Sequence, residues 1–289
     1  MERHKAALLS ICSNSLLITL KLIAGIVMGS VSVISEAIHS FIDLIASIIA
    51  FFSIKAAEKP EDKEHPFGHG KYENISGFVE ALLILLAAVL IIYESIKKII
   101  SGVTIENVGT GMLVMLISAI VNLVISISLI KISKKTNSIA LEADGYHLLT
   151  DFLTAGGVFL GLTLIKITGL KILDPVIAII VATFIFRTSV KLIKKSSNDL
   201  LDATLPDSDI KKITDIVNSE PEVTGYHKLR TRRSGSTREI DLHILVNGKM
   251  PLIHAHGISK IIEDKIKKVF PDSYILVHVE PDKKNNLTK

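Results

Sequence analysis

The sequence has no tryptophan, only one cysteine and 5% aromatic residues over 289 positions. The single Cys12 cannot form an internal disulfide, which excludes a disulfide-stabilised scaffold. Charged residues are scarce from residue 7 to about residue 195, where runs of Leu, Ile, Val and Ala dominate, whereas residues 205–289 are mixed and charged. This uneven distribution excludes one continuous soluble domain and divides the chain into an apolar part and a polar part.

The apolar part is long enough for several membrane spans. Overall, 48% of the residues are hydrophobic and the mean hydropathy is +0.47. A membrane helix needs about 20 apolar residues, and six segments meet this length: residues 7–29, 32–54, 76–98, 110–131, 144–167 and 174–194. A tight turn is expected at Gly29-Ser30. The N-terminus resembles a signal peptide, but its apolar stretch is too long and lacks a cleavage pattern, so we expect the first helix to be retained.

Basic residues near the span ends predict the orientation. With the N-terminus inside, only Lys97, Lys98, Lys166 and Lys171 lie on the outer face, and all other juxtamembrane Lys and Arg residues lie inside. This predicts cytoplasmic termini and a multi-pass protein of the cell membrane. The same bias accounts for the net charge of +4, so the charge does not indicate nucleic-acid binding.

The polar part alternates between helical and strand-like patterns. It predicts a helix over 207–219, strands over 224–233 and 238–247, a helix over 252–269 and a final strand over 274–280. An αββαβ order favours a compact two-layer α+β domain. We therefore expect a membrane domain over 1–200 and a cytoplasmic domain over 201–289.

Two identical motifs lie inside the predicted membrane part. His39 and Asp43 in the second span, and His147 and Asp151 in the fifth, are each four residues apart, so each pair shares one helix face. A charged Asp at the centre of a membrane helix costs about 2.5–3.5 kcal/mol on insertion scales. The pairs could hold the helices together by hydrogen bonds, but two imidazoles and two carboxylates also form a tetrahedral ligand set that suits Zn²⁺. Because metal binding requires neutral imidazole, protons would compete with the metal.

Other polar residues in the spans have simpler interpretations. Ser118, Asn122 and Ser126 recur every four residues on the fourth span, where helix packing is favoured over a role in lining a path. Lys21 in the first span is expected to extend its charged end to the interface.

These features resemble the cation diffusion facilitators. The resemblance rests on HxxxD motifs in spans two and five, six spans, a polar tail, and the loop over residues 62–73, DKEHPFGHGKYE. It implies a homodimeric, proton-coupled exporter of zinc or related divalent cations. Members with two His and two Asp at the central site are typically zinc-selective, whereas members with Asp at the position of His39 accept more metals.

The loop contains a second potential site. Spacing alone leaves open whether Asp62, His65 and His69 surround a metal or belong to a charged turn shaped by Pro66 and Gly68. The resemblance implies that the three residues bind a metal. It also implies that Lys71 pairs with Asp202 near the dimer contact, although both read from sequence alone as ordinary juxtamembrane charges.

The polar tail is rich in histidine. His278 and Glu280 share a strand face because they are two residues apart. Scattered histidines on a small domain are often exposed surface residues without a binding role. The resemblance implies instead a metallochaperone-like, ferredoxin-like tail that binds metal near the dimer contact through His227, His243, His256, His278 and Glu280. Many family members have Asp at the position of Glu280.

Buried metal ligands in a membrane protein fit three functions: a metalloprotease, a metal sensor and a metal transporter. The chain lacks the HExxH motif that an intramembrane metalloprotease requires, so we expect no enzyme activity. A membrane metal sensor that does not transport would have no need for ligands buried in the bilayer. We therefore expect a Zn²⁺/H⁺ antiporter that exports zinc from the cytoplasm by alternating access. The alternative is a broader exporter of Fe²⁺, Cd²⁺, Co²⁺, Ni²⁺ or Mn²⁺, because these ions also bind imidazole and carboxylate.

Overall fold

The computed structural model describes residues 2–28, 31–101, 112–170 and 172–282. The chain divides into two compact units, Met1–Ser197 and Asn198–Lys289, and each is described by itself. The predicted turn at Gly29-Ser30, the basic residue Lys171, and the predicted span ends at 29 and 110 lie outside the described residues.

The first unit consists of long apolar helices. They are α1 (Glu2–Met28), α2 (Val31–Ala57), α3 (Lys71–Ser101), α4 (Met112–Thr136), α5 (Ile139–Thr168) and α6 (Leu173–Leu200). All six are long and apolar enough to cross a membrane, which confirms the predicted fold class. The helices extend beyond most of the predicted span ends. Hydropathy locates only the apolar section of a helix, and the charged flanks of these helices stay helical.

Close helix contacts align the polar residues of α5 with those of its neighbours. A Cβ atom on Gly145 would lie 2.8 Å from Cγ1 of Ile130 and 3.2 Å from its backbone nitrogen. Only glycine therefore permits this approach of α4 to α5. At the N-terminal end of α5, Ser138 caps the helix by accepting a hydrogen bond from the Leu141 amide. The close approach at Gly145 therefore fixes α5 against α4 two residues before His147.

The second unit has the predicted αββαβ order. Its elements are α7 (Asp207–Asn218), β1 (Val223–Ser234), β2 (Thr237–Asn247), α8 (Leu252–Val269) and β3 (Ser273–Asp282). The sheet order is β1-β2-β3, with β1 antiparallel and β3 parallel to β2. The helix α8 supplies the crossover that a parallel pair requires.

The core of this unit lies between one face of the sheet and its two helices. Alternate residues of β2 are buried there: Ile240, Leu242, Ile244 and Val246. They pack with Ile213 of α7 and with Ile258 and Ile262 of α8. Because side chains alternate along a strand, His243 lies on the opposite face of the sheet.

Candidate metal-binding sites

Three predicted ligands meet inside the helical unit. Ligand atoms of Asp43, His147 and Asp151 all lie within 4.8 Å of one another. Nε2 of His147 donates a hydrogen bond to Oδ1 of Asp43 at 3.0 Å. Asp43 is only 5% exposed. The second and fifth helices therefore face each other through the residues that the HxxxD motifs predict, and we call these three residues the intramembrane cluster.

A cavity of about 180 Å³ leads to this cluster. Asp43 and Asp151 line it together with residues of α1, α2, α4 and α5: Lys21, Glu36, His39, Ser40, Met115, Ser118, Ala119, Asn122, Thr154, Ala155 and Val158. Most of these lie toward the end of the unit where α1 ends and α2 begins. The cavity therefore reaches the cluster from that end.

The opposite end of the unit is closed by packing. Buried apolar side chains from α1, α2, α4 and α5 form a continuous group there: Ala6, Ala7, Ala50, Ile54, Leu129, Ala140, Leu141 and Leu148. Arg3 adds ion pairs to Glu58 at 3.0 Å and to Glu73 at 3.2 Å, and Glu73 also accepts a hydrogen bond from Ser138. A cavity of about 510 Å³ between α1 and α4 at this end has no ligand of the intramembrane cluster among its lining residues.

His39, the fourth predicted ligand, lies in the wall of the same cavity. It is exposed and stands outside the group of three ligands. A four-ligand site would require His39 to turn inward or the helices to shift, and its role stays a prediction.

Two polar residues of the spans take positions that the sequence did not indicate. Lys21 is 6% exposed and donates a hydrogen bond to Ser40 at 2.7 Å. Its ammonium group therefore lies inside the helical unit and not at the membrane–water interface, where the sequence predicts it. Asn122 lines the cavity and its amide lies 3.5 Å from Oδ2 of Asp151. Ser126 instead donates to the Gly145 carbonyl, which is the helix-packing role expected for that position.

A second cluster forms in the loop between α2 and α3. Ligand atoms of Asp62, His65 and His69 lie within 4.8 Å of one another, and we call them the loop cluster. The backbone turns at Gly68, whose φ is +77°, a region that favours glycine. Its amide donates to the His65 carbonyl at 3.0 Å. This turn brings the two histidines together, with ring centroids 4.5 Å apart.

Hydrogen bonds prepare the loop cluster for a cation. Nδ1 of His69 lies 3.1 Å from the Pro60 carbonyl. A carbonyl only accepts, so Nδ1 carries a proton and Nε2 is the nitrogen that a metal would bind. That Nε2 lies 3.2 Å from Oδ2 of Asp62. The His65 amide and then the Glu64 amide donate to Asp62, which lowers the pKa of that carboxyl and keeps it ionised.

A third cluster lies on the open face of the sheet. The strand register pairs His227 with His243 and His243 with His278, so three imidazoles form a row across the strands. Glu280 follows His278 on the same face. Ligand atoms of His227, His243 and Glu280 lie within 4.8 Å of one another, and we call these three residues the sheet cluster.

Glu280 links the members of this row. Nδ1 of His243 donates to one of its oxygens at 2.6 Å, and Nε2 of His227 lies 3.1 Å from the other. The hydrogen bond from His243 is the largest cause of a lowered pKa of Glu280, with further contributions from His227 and Lys228. His278 is 3.8 Å away and its ring lies 4.6 Å from that of His243.

The other predicted tail residues lie apart from the sheet cluster. His256 is exposed on α8 and is not among the grouped ligands. Asp202 accepts a hydrogen bond from Arg232 at 3.1 Å. Its expected pairing with Lys71 joins the two units and stays a prediction.

The donor chemistry is the same in all three clusters. Each combines imidazole nitrogen with carboxylate oxygen, a set that suits Zn²⁺ and other divalent transition metals. The intramembrane cluster alone lies within the apolar helices at the base of a cavity. It is therefore the position at which a cation could be exchanged across the unit.

Comparison with protein families matches both units. The model described as the cation efflux transmembrane domain matches residues 7–201. The model described as the cytoplasmic domain of cation efflux proteins matches residues 205–282.

Similar proteins cover almost the whole chain. An uncharacterised transporter of Synechocystis is 34% identical over 276 residues, which span 95% of this chain and 89% of the relative. The cation-efflux pump FieF of Citrobacter koseri is 31% identical over 277 residues, which span 96% of this chain and 92% of that protein. A solved structure, the metal-bound C-terminal domain of the CzcD transporter from Thermotoga maritima, is 28% identical and covers 27% of this chain and 94% of its own, with a TM-score of 0.25.

The structure and the family comparisons agree. The six apolar helices lie almost entirely within the range matched by the transmembrane model, and the small mixed sheet lies within the range matched by the cytoplasmic model. The protein is an integral, multi-pass membrane protein that transports divalent cations by efflux, and its relatives are transporters and not enzymes. The chain belongs to the cation diffusion facilitator family.

Proposed function

We propose that this protein exports Zn²⁺ from the cytoplasm in exchange for protons, with His39, Asp43, His147 and Asp151 as the transport ligands. One observation carries the proposal: two carboxylates and an imidazole converge at the closed base of a cavity between the second and fifth helices. Two imidazoles and two carboxylates favour a tetrahedral ion, and Zn²⁺ accepts that geometry without penalty.

The contact between His147 and Asp43 supports proton coupling. Because a carboxylate only accepts, Nε2 of His147 carries a proton in that hydrogen bond. A metal that binds this nitrogen must displace the proton. Metal and proton thus compete for one atom, and each binding event releases the other ion.

The direction in which the cavity opens supports alternating access. With cytoplasmic termini, the cavity opens outward, and the packed apolar group of α1, α2, α4 and α5 lies between the intramembrane cluster and the inner end. Protons that enter from outside would displace zinc, and the return to an inward-open state would release them to the cytoplasm. The protein then acts in the cell membrane, with a membrane domain over 1–200 and a cytoplasmic domain over 201–289.

The other clusters support regulation by cytoplasmic metal. Asp62, His65 and His69 would hold one ion in the loop. His227, His243, His278 and Glu280 would hold metal on the sheet, with His256 joining from α8 or from the partner in a homodimer. Metal there would bring the two tails together and favour transport, with Lys71 and Asp202 paired near the contact.

Zinc flux in proteoliposomes tests the proposal. Purified protein is reconstituted with a zinc-sensitive dye and a pH dye in the lumen. We expect zinc uptake to move protons in the opposite direction, and the Asp43→Asn variant to abolish both signals. Zinc flux without a pH signal would reject antiport, and zinc binding without flux would favour a sensor.

Metal selectivity is tested in the same vesicles. If Cd²⁺, Co²⁺, Ni²⁺, Fe²⁺ or Mn²⁺ moves as fast as Zn²⁺, the protein is a broad exporter. The exposed position of His39 favours this alternative, because only three ligands converge in the structure and they include both carboxylates.

A further inference from the structure

Two buried acidic residues lie beside the intramembrane cluster and away from the cavity. Asp144 lies three residues before His147 on α5, and Glu80 lies on α3, which packs along α5. Asp144 is 0% and Glu80 is 4% exposed. Neither residue lines the cavity, and the proposed transport ligands do not include them.

Three of their four carboxylate oxygens have no hydrogen-bond partner within the described part of the chain. Both oxygens of Glu80 and Oδ2 of Asp144 are buried and unpaired. Oδ1 of Asp144 accepts from Ser47 at 3.1 Å, and Ser10 contributes a further hydrogen bond to this carboxylate. Buried polar groups without partners are rare, and each needs an explanation such as an ion or water. A buried carboxyl group is tolerated if it is paired, binds a cation or takes up a proton.

The surroundings of these oxygens indicate a cation. Glu80 is close enough to Asp144 and to His147 for electrostatic interaction with both. Among the described residues, no Lys or Arg forms an ion pair with Glu80 or Asp144. Either a proton on each carboxyl or a divalent cation shared between them can neutralise this buried pair.

We propose that Glu80 and Asp144 form a second binding position for the transported divalent cation, between the intramembrane cluster and the closed end of the helical unit. The proposal rests on the transport function above. An ion that leaves Asp43 and Asp151 toward that end faces the packed apolar group. The free oxygens of Glu80 and Asp144 offer it ligands before it reaches water, and His147 lies near both positions.

Zn²⁺ transport by the full-length protein in proteoliposomes tests this position. Glu80→Gln and Asp144→Asn keep the side-chain size and remove the charge. We expect each variant to slow net zinc flux by about 10-fold or more, which corresponds to about 1.4 kcal/mol in the barrier. The double variant should be about as slow as the slower single variant, because both residues serve one step.

Exchange of radioactive Zn²⁺ for unlabelled Zn²⁺ at equal pH separates a metal position from a proton carrier. Exchange needs no net movement of protons, so a residue that only carries protons is dispensable for it. Loss of exchange in Glu80→Gln supports the metal position. Intact exchange with lost net flux would overturn it and leave Glu80 a proton carrier.

Two control variants distinguish a specific effect at Glu80 from a general loss of folding or of the intramembrane cluster. Glu94→Gln changes an exposed Glu of the same helix and should transport like the unsubstituted protein, whereas Glu80→Asp keeps a carboxylate and should regain part of the exchange. Zinc bound at equilibrium should fall in Glu80→Gln by at most the one ion of the second position. Loss of zinc from the intramembrane cluster as well, or unchanged flux and exchange, would overturn the proposal. Absence of flux in the unsubstituted protein would instead reject the zinc transport function on which it rests.

Discussion

His147 and Asp43 are 104 residues apart in the chain, yet Nε2 of the imidazole lies 3.0 Å from Oδ1 of the carboxylate. This hydrogen bond joins α5 to α2 at the base of the cavity. It also places a proton on the nitrogen that would bind a metal. The hydrogen bond can therefore hold the two helices together when no metal is bound. When a metal binds, it replaces the proton on Nε2 and the hydrogen bond is lost.

The role of the carboxylates can be tested by removing their charge. Asp43→Asn and Asp151→Asn should each lower zinc flux by at least about 100-fold, since the loss of a ligand removes more affinity than the 10–100-fold typical of outer-shell partners. Initial rates in proteoliposomes measure the effect. Ser118→Ala, which changes the same cavity wall without removing a ligand, should retain most of the flux. Comparable losses in all three variants would contradict a specific role.

His39 is expected to control the choice of metal. In His39→Asp the site would consist of three carboxylates and one imidazole, a harder ligand set that discriminates less against other divalent cations. The ratio of zinc to cadmium flux should fall several-fold, by about 3–10-fold, which corresponds to roughly 1 kcal/mol. Competition between the two ions in one vesicle preparation measures this ratio. An unchanged ratio would indicate that His39 is not a transport ligand.

Asn122 is expected to position Asp151. Its amide lies 3.5 Å from the Asp151 carboxylate, and partners that orient a metal ligand typically account for about 10–100-fold in affinity. Asn122→Ala should raise the KM for zinc by about 10-fold and change kcat less. Ser126→Ala is the matched control because Ser126 lies one turn away and bonds only to the Gly145 carbonyl. If both variants behave alike, Asn122 serves helix packing.

The sequence alone predicts much of this architecture. Six spans follow from apolar length, and the tail domain follows from alternating residues such as Ile240, Leu242 and Ile244. The two HxxxD motifs predict three residues that converge. The residues that sequence reasoning missed are those whose role depends on the rotation of a helix. Nothing in the local pattern shows that Lys21 points inward to Ser40, or that Glu80 faces α5, because neighbouring helices fix those orientations.

The loop shows a different limit. Spacing could not decide between a metal site and a charged turn, because both use Gly68 to reverse the chain. The hydrogen bond from Nδ1 of His69 to the Pro60 carbonyl is the feature that favours a site, since it leaves Nε2 directed at Asp62. That contact depends on the path of the backbone, which the residue types do not specify.

Removing the Asp62 charge should empty the loop cluster. Asp62→Asn should reduce the zinc bound per protomer by one ion, as measured by equilibrium dialysis and metal analysis of the full-length protein. Glu61→Gln, at the adjacent position, should leave the stoichiometry unchanged. The pKa of Asp62 is lowered, so its carboxylate stays ionised as the pH falls from 8 to 5. Loss of zinc over that range should therefore not come from protonation of Asp62.

Glu280 should determine affinity at the sheet cluster without setting its pH dependence. The hydrogen bond from His243 lowers the pKa of Glu280, so the contact stabilises the domain above the ordinary Glu pKa. That stabilisation is lost only when the pH falls through the lowered value. Between pH 5 and 8 the carboxylate therefore remains ionised, and protons compete with the metal only at the imidazoles, which bind metal in their neutral form.

We therefore expect Glu280→Gln to weaken zinc binding by at least about 10-fold while the pH at half-maximal binding stays the same. Calorimetry from pH 5.5 to 8 uses full-length Asp62→Asn/Asp151→Asn protein, in which the loop cluster and the intramembrane cluster each lack one ligand. Glu280→Asp should keep most of the affinity because it retains a carboxylate, and Glu222→Gln, which changes a carboxylate paired with His254, should have no effect. A shift of the pH midpoint in Glu280→Gln would show that Glu280, and not the row of imidazoles, exchanges the proton for the metal.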